Sequence, residues 1–201
     1  CIRDRVNTLN IYVPGLGGFI LPEDEIIKQD LLLRETIRRC NCVVLSFDSI
    51  GPRLTMLTYA LIYGKPVVMV SAWTNRSQSA DQTYLIHNGR INVWKPSLPC
   101  PLCYTRVHIV SGNAFYVAHP VISEITASLC TYIVEEIIQG LPVYPYVKIC
   151  IHERQGQLNV EYFEGNPSDR CPLCSRKEEL KKILEAGGLA ALLEKIEEVT
   201  S

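Results

Sequence analysis

A mixed α/β domain is the fold class this sequence predicts, and three observations predict it. Residues 42–71 read as strand, helix and strand with short joints, a βαβ unit. The tetrapeptide Cys-Pro-Leu-Cys occurs twice, at Cys100–Cys103 and at Cys171–Cys174, a spacing that suits a four-thiolate metal site. With 201 residues, 47% of them hydrophobic, the chain can bury one substantial core.

The cysteine pairs organise the rest. A Cys-x-x-Cys turn faces two sulfurs toward one point about 4 Å apart, which matches two corners of a zinc tetrahedron with Zn–S near ~2.3 Å. Two such knuckles complete a four-cysteine site of Cys100, Cys103, Cys171 and Cys174. The alternative is a redox dithiol, but redox chemistry needs one pair and here there are two. Residues 104–170 are too long an interval for a compact zinc ribbon. The metal is therefore expected to staple distant stretches of a larger domain, as a structural element. The scattered cysteines Cys1, Cys40, Cys42, Cys130 and Cys150 leave an odd number beside a thiolate site, which points to a reducing, cytoplasmic compartment. The net charge of −1 gives no general nucleic-acid surface. No apolar run reaches the ~20 residues that span a bilayer, and no signal peptide is evident. The chain opens Cys1-Ile2-Arg3 rather than with Met, so a fragment or processed chain is expected.

In chain order, residues 10–13 read as a strand, and Pro14 to Gly18 as a turn. This glycine-rich turn is a weak phosphate-loop signal: no helix follows it directly, and Glu23-Asp24-Glu25 would repel phosphate. Ile26, Ile27, Leu31, Leu32, Leu33 and Ile37 give a helix from Glu25 to Arg39 its apolar stripe. Cys42 to Phe47 is a continuous apolar run ending at Asp48-Ser49, the pattern of a central parallel strand whose carboxyl end faces a ligand. A helix from Arg53 to Tyr63, stopped by Gly64, leads to the next buried strand, Val67–Ser71. Residues 73–82 read as polar loop. Residues 84–86 and 90–94 then read as a hairpin around His87-Asn88-Gly89. Pro120 opens a long helix over 121–139, which Gly140 closes. Residues 146–151 and 158–163 form a second hairpin around Gln155-Gly156-Gln157. Ser175 and Glu178 make a capping box for a helical tail broken at Gly187-Gly188. This tail packs on its own domain or grips a partner.

The order of these parts resembles the second half of the ThiF/MoeB/E1 superfamily, the adenylating enzymes of sulfur-carrier and ubiquitin-like proteins. The resemblance rests on Val43 to Phe47, Asp48-Ser49, Arg53 and Gly64-Lys65-Pro66, followed by hairpin, Cys pair, Pro-led helix, hairpin and Cys pair. The stretch Val13 to Ile26 is most similar to the non-canonical autophagy E1 and its bacterial ThiF-like relatives. The resemblance covers about residues 1–174, with 175–201 a helical tail, and implies a Rossmann-like adenylation-domain half with a mixed sheet.

By that resemblance Asp48 helps hold Mg-ATP, a role that also suits a carboxylate at a strand's carboxyl edge; the alternative is a helix cap. Arg53 either orients substrate or pairs with a helix face. The resemblance also assigns the zinc to the four cysteines. The family's nucleotide loop, ribose-binding acid and phosphate-contacting Arg and Lys belong to a half ahead of residue 1, so this chain alone is expected to be inactive. Residues 111–120 hold no cysteine, and Cys130 falls on a helix's inner face, so adenylation without a thioester fits better than covalent transfer. His108 and His119 are candidate bases or structural residues. The implied function is ATP-dependent activation of the C-terminal carboxylate of a ubiquitin-like or sulfur-carrier β-grasp protein, with ATP, Mg2+ and structural Zn2+ as cofactors. The implied assembly is a homodimer or hetero-oligomer. The competing reading is a catalytically silent E1-like scaffold that binds a partner or a leader peptide, as in cyclodehydratases.

Overall fold

The computed structural model describes residues 13, 22–47, 50–79, 82–104, 118–152, 156–164, 171 and 173–200, and all that follows concerns these. The order is α1 (Glu23–Arg39), β1 (Val43–Leu45), α2 (Ile50–Ile62), β2 (Val67–Ser79), β3 (Gln82–Trp94), a short α3 (Pro101–Tyr104), α4 (Pro120–Ile138), β4 (Tyr146–His152), β5 (Gln157–Phe163), a 3-10 turn (Cys174–Arg176) and α5 (Lys177–Thr200). The strands form one five-stranded sheet in sequence order. β1 pairs with β2 in parallel and every later neighbour is antiparallel, so the α/β fold with a mixed sheet is observed.

Strand alternation divides the core in two. One face presents Val68, Ile91, Val93, Val147 and Ile149, which pack under Ile122, Cys130 and Ile133 of α4. The other presents Val43, Leu45, Val67, Met69 and Trp94, which pack with α1, α2, α5 and the buried cysteines Cys100 and Cys171. Pro120 sits in the first turn of α4, and His119 Nδ1 caps it by accepting the Val121 N–H at 3.3 Å. At the other end Leu141 and Gly140 return their N–H groups to Glu136 and Ile137, which satisfies the last carbonyls.

Several expectations are corrected. Residues 73–79 are not loop but the second half of β2, and the hairpin partner of β3 is β2, with Ser79 opposite Gln82. Asn88-Gly89 is therefore mid-strand rather than a turn, and His87 is a buried strand residue beside Thr74 Oγ1 at 3.0 Å. Gly89 is demanded by packing instead: a Cβ there would collide with Thr126 Oγ1 and meet Ile149 Cβ at 3.4 Å. Ala72 lies opposite Gly89, so two small residues make the notch on which α4 rests. Among the described residues β1 is an edge strand, not a central one, and its Val44 is 50% exposed. Ser175 does not open a capping box. Its hydroxyl donates to Cys171 O, and α5 begins at Lys177. The expected strand at 10–13, the turn at 14–18 and His108 lie outside the described residues apart from Val13.

The Gly89 contact gives a direct test. Gly89→Ala should cost about 1–3 kcal/mol by overpacking, read as a lower urea midpoint. Thr126→Ala in the same chain should restore part of that loss, because the offending hydroxyl is gone. Equal midpoints for wild type and Gly89→Ala would show that α4 does not rest on this glycine.

The helical tail packs on its own domain. Leu180, Leu184, Leu189, Leu192, Leu193 and Ile196 are buried in the core shared with α1 and α2. The expected break is present: Gly188 has φ 71°, ψ −164°, a conformation that only glycine adopts without strain. Arg34 Nη2 of α1 donates to Leu184 O, just before the break, at 2.7 Å. Arg34 is held by Asp30, through Nε at 2.9 Å and Nη2 at 2.5 Å. Tyr59 of α2 donates to the same buried carboxylate. Burial and that bond raise the Tyr59 hydroxyl's pKa, so it stays protonated as the donor.

Candidate metal centre

The chain brings Cys100, Cys103, Cys171 and Cys174 to one point from two distant stretches of sequence. The first pair follows β3 on the turn of α3, where the Cys103 N–H closes onto Cys100 O at 2.9 Å. The second precedes α5, where Ser175 N–H reaches Cys171 O at 3.2 Å. Each pair is thus shaped by a tight main-chain turn, as a knuckle requires.

All four sulfurs lie within 4.8 Å of one another. Cys100 and Cys171 are 3.3 Å apart, Cys100 and Cys103 3.9 Å, and Cys103 and Cys174 3.8 Å. A zinc tetrahedron with Zn–S near 2.3 Å has edges of about 3.8 Å, so these residues fit the ion. Cys100 and Cys171 are buried, while Cys103 and Cys174 are half-buried. Electrostatics favour the same assignment. Hydrogen bonds from the Cys100 and Cys174 thiols, and then the Cys174 N–H at 3.4 Å, lower the pKa of Cys171. The hydrogen bond to Cys171 raises that of Cys100. The Cys171 thiolate is favoured while those of Cys100 and Cys174 are opposed; a divalent cation would let such a set ionise together. No fifth group is needed, and a closed set of four thiolates is a structural arrangement rather than a catalytic one.

Elsewhere the sequence candidates divide. Asp48 lies outside the described residues. Arg53, at the start of α2, donates from Nε to Phe47 O and so clamps the end of β1 just before Asp48. His119 is the exposed N-cap of α4, with its ring 4.8 Å from that of His87. Cys130 is buried in the core under α4, and burial raises its thiol pKa. Burial likewise pushes the Cys42 thiol up to about 11. None of these thiols has the lowered pKa of a nucleophile.

Sequence reasoning missed two polar groups. One is the Asp30–Arg34–Tyr59 cluster described above. The other is Arg90, Asn92 and Asn88 on the face of β3 opposite α4. Strand alternation aligns them with Trp94, a signal hidden by the mistaken turn at Asn88-Gly89.

No protein-family model matches the sequence, and no curated protein matches it. Among solved structures, the chain is similar to the crystal structure of E. coli MccB with MccA-N7isoASN, at 15% identity and a TM-score of 0.47. The similarity covers 67% of this chain and 40% of that one. No helix among the described residues is long and apolar enough to cross a membrane.

Proposed function

We propose that this chain is the carboxyl-side half of an E1-like adenylating enzyme, stapled by structural zinc. The observation that carries this reading is the order of parts. A parallel β1–α2–β2 unit is followed by antiparallel strands, and two cysteine knuckles, one after β3 and one after β5, meet at one point. This is the order on which the resemblance to the ThiF/MoeB/E1 superfamily rests.

The reaction is activation of the C-terminal carboxylate of a β-grasp carrier, ubiquitin-like or sulfur-carrying. A carboxylate oxygen attacks the α-phosphorus of ATP, pyrophosphate leaves, and an acyl-adenylate forms. In this reading Asp48 holds Mg-ATP at the carboxyl end of β1. Arg53 keeps that end in place through Phe47 O. The nucleotide loop comes from outside these 201 residues, from a longer chain or a partner. The chemistry is positioning and charge stabilisation, with no thioester.

ATP–pyrophosphate exchange tests this, with the longest protein containing this chain and candidate carriers. Exchange should appear with the cognate carrier and fall by about 10²-fold or more in Asp48→Ala, with metal content and melting unchanged. Absence of exchange with every carrier, from folded and metal-loaded protein, would leave the scaffold reading.

A further inference from the structure

The face of the sheet opposite α4 carries a charge that has no counter-charge among the described residues. Arg90 stands mid-strand in β3, half-buried, with Ser71 of β2 on one side and Lys148 of β4 on the other. Its guanidinium lies 5.0 Å from the Trp73 ring centre and 5.7 Å from that of Tyr146. Its Nε is buried and has no hydrogen-bond partner among the described residues. The acid of this row, Glu161 of β5, is 3.4 Å from Lys148 Nζ and paired to it. Two residues along the same face, Asn92 is 4% exposed and its Oδ1 is also unpartnered among the described residues. Asn88, two residues the other way, spends its Nδ2 on Ile86 O at 3.1 Å.

A buried donor on a cation and a buried acceptor are costly to leave unmade. Stacking on two rings orients a guanidinium but does not replace its hydrogen bonds. Together the two orphans describe a ligand. It offers an oxyanion to Arg90 and, about two strand residues away, an N–H to Asn92 Oδ1. A carboxylate with a neighbouring peptide N–H has this chemistry. Trp73 and Tyr146 would flank its apolar parts. Lys148 and Glu161, 39% and 50% exposed, leave one side of the row open to solvent.

We propose that Arg90, Asn92, Trp73 and Tyr146 form a binding site for a peptide carboxylate. The site needs no nucleotide, so it stands or falls separately from the adenylation reading.

The experiment is a titration of Trp73 fluorescence in the full, metal-loaded chain without ATP. The probes are acetyl-triglycine with a free C-terminus, its C-terminal amide, and an amidated acetyl-Gly-Glu-Gly. Sodium phosphate is the fourth. A carboxylate-bearing peptide should bind at least about tenfold more tightly than the amide probe. The same margin should be lost in Arg90→Gln and only partly kept in Arg90→Lys, which retains charge without the planar fork. Preference between the two carboxylate probes assigns the source as terminus or acidic side chain. Arg90→Gln should also melt no lower than wild type without peptide, since it removes an unpartnered charge. Binding of both peptide classes alike, unchanged binding in Arg90→Gln, phosphate binding as well as the best peptide, or a lower melting temperature for Arg90→Gln would each overturn the proposal.

Discussion

Cys171→Ser is expected to abolish metal binding and to lower the melting temperature by about 10–20 °C. Cys171 is one of the two buried sulfurs of the set. It faces Cys100 at 3.3 Å, accepts the Cys174 N–H, and sits 2% exposed in the core that holds α5. Loss of a structural metal belongs to the small class of changes worth about 4–5 kcal/mol or more, and for a chain of this size each kcal/mol moves the midpoint by about 2–4 °C. Wild-type protein should carry one zinc per chain by elemental analysis, and a chelator should reproduce the shift seen in the variant. If purified protein holds no metal, or mass spectrometry finds the pairs joined as disulfides, the dithiol reading replaces the zinc site.

Arg34→Ala should cost about 3–5 kcal/mol, the typical penalty for leaving one member of a buried ion pair alone. The loss is double. Asp30 keeps a buried carboxylate with, among the described residues, Tyr59 as its remaining side-chain donor, and Leu184 O loses its bond to α1. Thermal melting should show this as a fall of roughly 6–20 °C. The exposed pair Arg39–Glu35 on the same helix is the control, with side chains 78% and 57% accessible. Arg39→Ala should change stability by no more than about 0.5 kcal/mol. The double variant Asp30→Asn/Arg34→Met should be milder than Arg34→Ala, because no charge remains buried. If Arg34→Ala behaves like Arg39→Ala, the cluster does not anchor α5.

The four-cysteine cluster was legible because its signal is local: four cysteines in two tight turns carry their own geometry, whatever lies between them. The βαβ unit was legible for a similar reason, since its apolar runs and the Gly64 stop lie close together in the chain. The sheet beyond it was not. Asn88-Gly89 has the composition of a hairpin turn, and only the approach of Thr126, 37 positions later, explains the glycine. With the turn misplaced, the polar half of β2 looked like loop and the alternation of Arg90, Asn92 and Trp94 was lost. The fate of the tail was also non-local. Its apolar stripe could serve a partner or its own core, and the choice is made by Arg34 reaching Leu184 O across 150 residues of chain.

The two knuckles stand 71 residues apart, and the interval contains α4, β4 and β5. A metal held across that interval would draw together two distant points of the chain, and closing a loop of this length costs about 4 kcal/mol of chain entropy, which binding to the folded state would offset. That entropy grows only with the logarithm of the loop, about 0.6 kcal/mol for each doubling. The interval between the knuckles could therefore lengthen or shorten at little thermodynamic cost to such a bridge.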